Sequence, residues 1–106
     1  MVTIEEFGKL DIRIAKVLEA RPHPNADKLM LLMIDVGDQQ KQIVAGIRGH
    51  YEPDALVGTQ IVVVNNLEPA MLRGERSEGM LLAATSGEAI ILLKPERDAA
   101  VGSRVR

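Results

Sequence analysis

His23 and His50 are the only two imidazoles in the chain, and both sit in loop-like stretches. A metal site would need carboxylates or cysteines converging on them. Two isolated loop histidines are ordinarily solvated. Ser77 lies beside Glu78, but no histidine stands near it in sequence to serve as a base. No phosphate-binding loop is present, and no Gly-x-Gly-x-x-Gly follows a strand. These patterns name no catalytic residue, no metal ligand and no cofactor.

The stretch richest in binding chemistry runs from Asn65 to Met80. A β-prone approach leads into Pro69, then Arg73-Gly74, Arg76-Ser77 and Gly79-Met80. Arginine forks pair with phosphates in two-point geometry. Ser77 and Asn66 can hydrogen-bond sugars or base edges. Glycines at 74 and 79 let backbone approach a partner closely. The plain alternative is an ordinary solvated loop. A second group is Arg13, Lys16 and Lys28, around a loop from Pro22 to Asp27. A barrel sets the first strand beside the second, so these cations are expected to share a face. Asp11, Glu19 and Asp27 are their possible partners in a mixed charged surface, and exposed pairs of that kind contribute little.

The elements that must position these groups follow from composition and pattern. The chain has 106 residues, which predicts one domain over 1–106. Apolar residues make up 46%, enough for a core, but Phe7 and Tyr51 are the only aromatics. The core is therefore expected to be aliphatic. Thirteen cations against fifteen carboxylates give a net charge of −2, so bulk attraction does not draw in nucleic acid. Any phosphate-binding surface has to arise from local segregation of charge. No cysteine is present, which excludes disulfides and zinc knuckles. The N-terminus is acidic where a secretory leader would be basic, and the apolar run Leu29 to Ile34 is too short to cross a bilayer. A cytoplasmic protein without membrane contact is expected. The start at Met1 with no linker ahead of it fits a free-standing form.

Thr3 with Glu6 three residues on is a capping box, so a helical turn is expected there, ending at Gly8. Leu10 to Ala20 reads as a long strand with a bulge near 15–17. Lys28 to Val36 reads as a strand apolar on both faces, Lys41 to Ile47 as its hairpin partner, and Thr59 to Asn65 as the most β-prone piece. Pro53 to Val57 suggests a helical turn. Met80 to Ala84 and Ala89 to Leu93 suggest a hairpin. Pro95 to Arg106 has no strong period. Recurring strands with short turns and no long amphipathic helix predict a small β-barrel.

With these pieces in order, the chain resembles the tRNA-binding domain family, found free-standing in bacteria, at the C-terminus of methionyl-tRNA synthetases and in the endothelial monocyte-activating polypeptide. The resemblance rests on Phe7 to Val17, His23 to Leu29, Ile43 to Ile47, Asn66-Leu67-Glu68-Pro69, Arg73-Gly74, Ser77-Glu78-Gly79-Met80-Leu81 and Ala83-Ala84. Many relatives carry a basic residue where this chain has Ala70. The resemblance implies an all-β OB-fold: a five-stranded barrel with short helical turns and a C-terminal extension. It implies a two-fold homodimer and structure-specific binding of tRNA at the outside corner of its L. Ser77 and Met80 match the family's RNA-contacting turn, with Arg73 and Asn66 nearby. Lys28 and Arg13 match motif positions, and Arg48 is added because it follows the Ile43 to Ile47 motif.

The leading expectation is a non-catalytic tRNA holder, free-standing or attached to an aminoacyl-tRNA synthetase. The alternative is a dimeric export chaperone of the same fold that binds unfolded or secretory polypeptides. An unrecognised enzyme is a third class, disfavoured by the lack of cysteine and scarcity of histidine. Scarce surface aromatics remove the usual stacking route, so recognition should act through shape, phosphates and sugars.

Overall fold

Alternating burial along the longest strand sets the architecture. The computed structural model describes residues 1–106. Strand β1 (Ile12–Pro22) buries Ala15 and Val17 in one apolar cluster and Ile12 and Ile14 in another. Successive strand residues face opposite ways, so both faces of β1 need cover. The first cluster is the barrel core. It adds Met30, Leu32 and Ile34 of β2 (Met30–Asp35), Ile43 and Ala45 of β3 (Gln40–Ala45), and Ile61 and Val63 of β4 (Gln60–Val64). It is aliphatic, as expected. Each fully buried Val, Leu or Ile contributes about 1.5–3 kcal/mol.

The strands follow the order β3-β2-β1-β4-β7, all antiparallel, with β7 covering Met80–Leu81. β1 pairs with β4 through residues 12–16 and with β2 through 16–22. Its two halves thus serve different neighbours, and the sheet curls around it. The register shifts between Val17 and Glu19, slightly beyond the bulge expected at 15–17. Closure comes on the far side of β3. The Val44 amide donates to Ser77 Oγ at 2.9 Å, and the Glu78 amide donates to the Gln42 carbonyl at 2.9 Å. The result is the nearly closed five-stranded OB-type barrel that the sequence suggests.

The second apolar cluster, Ile12, Ile14, Val62 and Val64, lies on the outside of the barrel. Leu82, Ala99 and Val105 pack over it. The C-terminal segment, without period in sequence, is therefore a strap, and its Arg104–Val105 pairs with the start of β1. Gly37 and Gly102 lock the strap to the β2–β3 turn. A Cβ on Gly102 would stand 2.9 Å from the Gly37 Cα, and both residues have positive φ.

Two short helices decorate the barrel. α1 (Ile4–Phe7) carries the expected capping box and buries no residue. α2 (Pro53–Leu56) begins on its proline and buries Leu56. The stretch between β4 and β7 is not a plain loop. It contains a hairpin, β5 (Ala70–Leu72) and β6 (Glu75–Ser77), with positive φ at both central residues, Arg73 (53°) and Gly74 (91°). That is the requirement of a type I′ turn, which Asn-Gly signals far more often than Arg-Gly. The later hairpin, β8 (Ala83–Ser86) and β9 (Ala89–Leu92), forms as expected but begins three residues late, because Met80–Leu81 pairs with β4.

Candidate nucleic-acid interface

Two loops of an OB barrel, between strands 1 and 2 and strands 4 and 5, flank its usual ligand face. Here they are the turn from His23 to Leu29 and the stretch carrying the β5–β6 hairpin. His23 joins them. Its backbone amide donates to the Leu29 carbonyl (3.0 Å), and its carbonyl accepts from Arg48 Nη1 (3.2 Å). Nδ1 accepts from the Asn25 amide at 2.9 Å, so the ring proton sits on Nε2. Nε2 then donates to the Leu72 carbonyl at 2.9 Å, 49 residues away. All four polar groups are used, and the residue is 2% exposed. The expectation of a solvated loop histidine fails for His23, because its ring is held between the Asn25 amide of its own turn and the Leu72 carbonyl of the hairpin. His50 is exposed, as expected.

This arrangement gathers cations. Arg48 reaches the His23 and Ala26 carbonyls through Nη1, and its amide donates to the Lys28 carbonyl at 3.4 Å. Arg73 follows Leu72, the hairpin residue that His23 holds. Arg21 is the last residue but one of β1, next to the same turn. None of Arg21, Lys28, Arg48 or Arg73 has a carboxylate within salt-bridge distance, although Asp27 lies in the same turn. Arg21, Lys28 and Arg73 are exposed, and Arg48 is half-buried. Of the expected contact residues, Lys28, Arg48 and Arg73 are thus brought together. Arg21 and His23 are additional members. Their signal in sequence was the run Arg21-Pro22-His23-Pro24, whose prolines fix a turn between two strands.

The remaining expected residues have structural partners. Ser77 Oγ donates to the Gly79 carbonyl besides accepting from Val44. Asn66 accepts from the Asp11 amide and donates to the Lys9 carbonyl, tying the N-terminal segment down. Arg13 does not share a face with Lys28. It sits near the other end of β1, up to about 30 Å along the strand at roughly 3.3 Å per residue. There it pairs with Asp11 at 2.9 Å and Asp38 at 2.9 Å, and Arg104 adds a 3.0 Å contact to Asp11. The hydrogen bond from Arg13 holds the Asp11 carboxyl below the usual carboxylate range. Partial burial opposes that shift, while Asn65 and the Arg104 charge assist it. The same bond raises Arg13.

Met80 is exposed beside a cleft of about 250 Å³ between the hairpin and the segment Leu67–Ala70. No group of three or more His, Asp or Glu side chains converges on a common point. No helix is long and apolar enough to cross a membrane.

Comparison with known proteins adds three findings. A family model described as "Putative tRNA binding domain" matches residues 12–104. The methionine--tRNA ligase of Thermotoga maritima is 54% identical over 104 residues, covering 98% of this chain and 16% of that protein. The chain spans 14–16% of the length of such curated relatives. Among solved structures, a MetRS related protein from Pyrococcus horikoshii has a TM-score of 0.93 at 30% identity, covering 100% of this chain and 98% of that one. The chaperone CsaA from Bacillus anthracis has a TM-score of 0.90 at 33% identity, covering 100% and 99%.

Proposed function

This chain belongs to the tRNA-binding domain family, and from that premise we propose that it holds tRNA by shape and charge and catalyses no reaction. The observation that carries this reading is the group of Arg21, Lys28, Arg48 and Arg73 without carboxylate partners, on a chain whose net charge is −2. Arg73, Lys28 and the open side of Arg48 meet phosphates, with Met80 beside them. Ser77 shapes this surface, while Arg13 and Asn66 hold the opposite end of β1 together. The domain works in the cytoplasm, alone or beside an aminoacyl-tRNA synthetase, where it raises the local concentration of tRNA.

Two copies act together. The support is the exposed apolar helix α1: Ile4 is 82% exposed, and Phe7 and Leu10 line an open groove with Val105. A four-residue helix has little stability of its own and gains from a cover. A second copy supplies that cover and doubles the tRNA-holding surface.

Likeness to CsaA supports a second reading, in which the apolar cleft takes unfolded polypeptide. Fluorescence anisotropy with labelled tRNA, unstructured RNA, duplex DNA and an unfolded polypeptide separates the two. Preference for tRNA at moderate salt is expected, with log K falling against log salt at a slope of about −3. Lys28→Glu combined with Arg73→Glu should abolish binding while leaving the fold intact. Equal affinity for all three nucleic acids, or preference for the polypeptide, sinks the tRNA reading.

A further inference from the structure

The cleft beside Met80 has the make-up of a site for one nucleotide. Val44 is buried in it, Leu67, Leu72 and Met80 form partly exposed apolar walls, and Glu68 lines it with a carboxylate that can accept from the N–H groups of a base. Apolar walls alone would accept many ligands. What narrows the choice is the neighbour of Leu72. Arg73 is the next residue, about 3.8 Å away between Cα atoms. It is exposed and has no carboxylate partner. A nucleotide joins a flat apolar ring to an anion through one sugar. The cleft and Arg73 are joined in the matching order. An apolar peptide side chain brings no anion to that position.

Stacking on aromatic residues is not available here. Phe7 lies in the groove with Arg104 and Val105, and the Tyr51 hydroxyl is tied to the Leu92 amide at 3.1 Å. Aliphatic walls and a thioether can replace them, since methionine sulfur contacts π-faces favourably. The cleft also has a fixed shape. His23 holds the Leu72 carbonyl, and Ser77 ties the other side to β3 and Gly79. We propose that this cleft takes a single unstacked base of the bound RNA, with the attached phosphate on Arg73. The inference rests on the tRNA-holding reading and adds where one nucleotide leaves its stack.

Methionine methyl groups give a direct test. The chain has five methionines, and Met80 lies in the cleft while Met30 is 1% exposed in the barrel core. The whole chain, labelled with ¹³C at the methionine methyls, is titrated with tRNA while anisotropy is recorded on the same samples. With Phe7 and Tyr51 engaged elsewhere and the His23 ring fixed by the Asn25 amide and the Leu72 carbonyl, an upfield shift at Met80 that grows with added tRNA comes from a base. The expected result is such a shift, saturating with the anisotropy curve, and no movement of Met30. Binding by anisotropy without a Met80 shift overturns the base site and leaves the tRNA reading standing. No binding at all overturns both. A Met80 response to unfolded polypeptide but not to tRNA overturns the site in favour of a peptide. Ala70→Leu, at an exposed residue lining the cleft, fills it without touching the barrel core. It should weaken tRNA binding about tenfold with unchanged thermal unfolding, as expected for loss of one base contact. Unaltered affinity in this variant also overturns the proposal.

Discussion

At one end of β1, Arg13 and Arg104 converge on Asp11, and Asp38 takes the remaining side of Arg13. At the other end, Arg21, Lys28, Arg48 and Arg73 lie around the His23 turn, and none of them has a carboxylate within ion-pair distance. The Asp11 end consumes its cations in holding the C-terminal strap. The His23 end holds its loops with backbone carbonyls and the His23 ring, and leaves its cations without a carboxylate partner. A chain with an acidic balance can therefore offer phosphates a cationic face, because pairing is uneven and not because cations are abundant.

The strongest way to break this contrast is at His23. Replacing it with Ala leaves the Asn25 amide and the Leu72 carbonyl without their partner and opens a cavity. A loss of about 3 kcal/mol in urea unfolding is expected, together with weaker tRNA binding. His23→Gln should recover part of both, because its amide can still donate to Leu72. Equal behaviour of the Ala and Gln variants would show that packing, not the hydrogen bond, joins the loops.

Arg73→Asn sharpens the contrast by separating fold from charge. Asparagine accepts positive φ more readily than arginine, so the hairpin turn should keep or gain stability. Affinity for tRNA should fall about tenfold, the loss of one charge-assisted bond of roughly 1.5 kcal/mol. Its salt slope should become shallower by about one. An unchanged slope would remove Arg73 from the phosphate-contacting group.

Asp11→Asn addresses the opposite end and has the smallest expected effect. The folded carboxyl lies below its unfolded value, so its contribution is present at neutral pH and is lost as pH falls through the folded value. Thermal unfolding measured from pH 6 to pH 2 should show a flatter acid limb below about pH 4 in the variant. Affinity for tRNA at neutral pH should not change. A parallel acid limb would mean that other carboxylates govern acid unfolding.

Much of the barrel was readable from residue order. The Ile61-Val62-Val63-Val64 run, the Gly37-Asp38 turn and the Thr3–Glu6 cap each specify local structure that the fold retains. Two pieces were not readable. The β5–β6 hairpin is hidden because its strands have three residues each and Arg73 occupies a turn position that arginine rarely takes. Of the expected C-terminal extension, the path is what is hidden, because its apolar contacts, Ala99 and Val105, obey no period. The candidate site divides the same way. Residue types pointed to Lys28, Arg48 and Arg73, but their assembly depends on a bond between His23 and Leu72 across 49 residues. The position of Arg13 was nearer to hand: Asp11 lies two residues away, the spacing that puts both side chains on one face of a strand.

The bond from Val44 to Ser77 has one more consequence. β3 is the last strand on one side of the sheet path, and a terminal strand normally offers its free amides and carbonyls to any other extended chain. Here the Ser77 hydroxyl occupies the Val44 amide, and the Glu78 amide occupies the Gln42 carbonyl. The segment that carries Arg73 outward thereby closes β3 against foreign strands. Its serine acts as a guard against aggregation, keeping a barrel rich in Val and Ile from joining its neighbours edge to edge at high concentration.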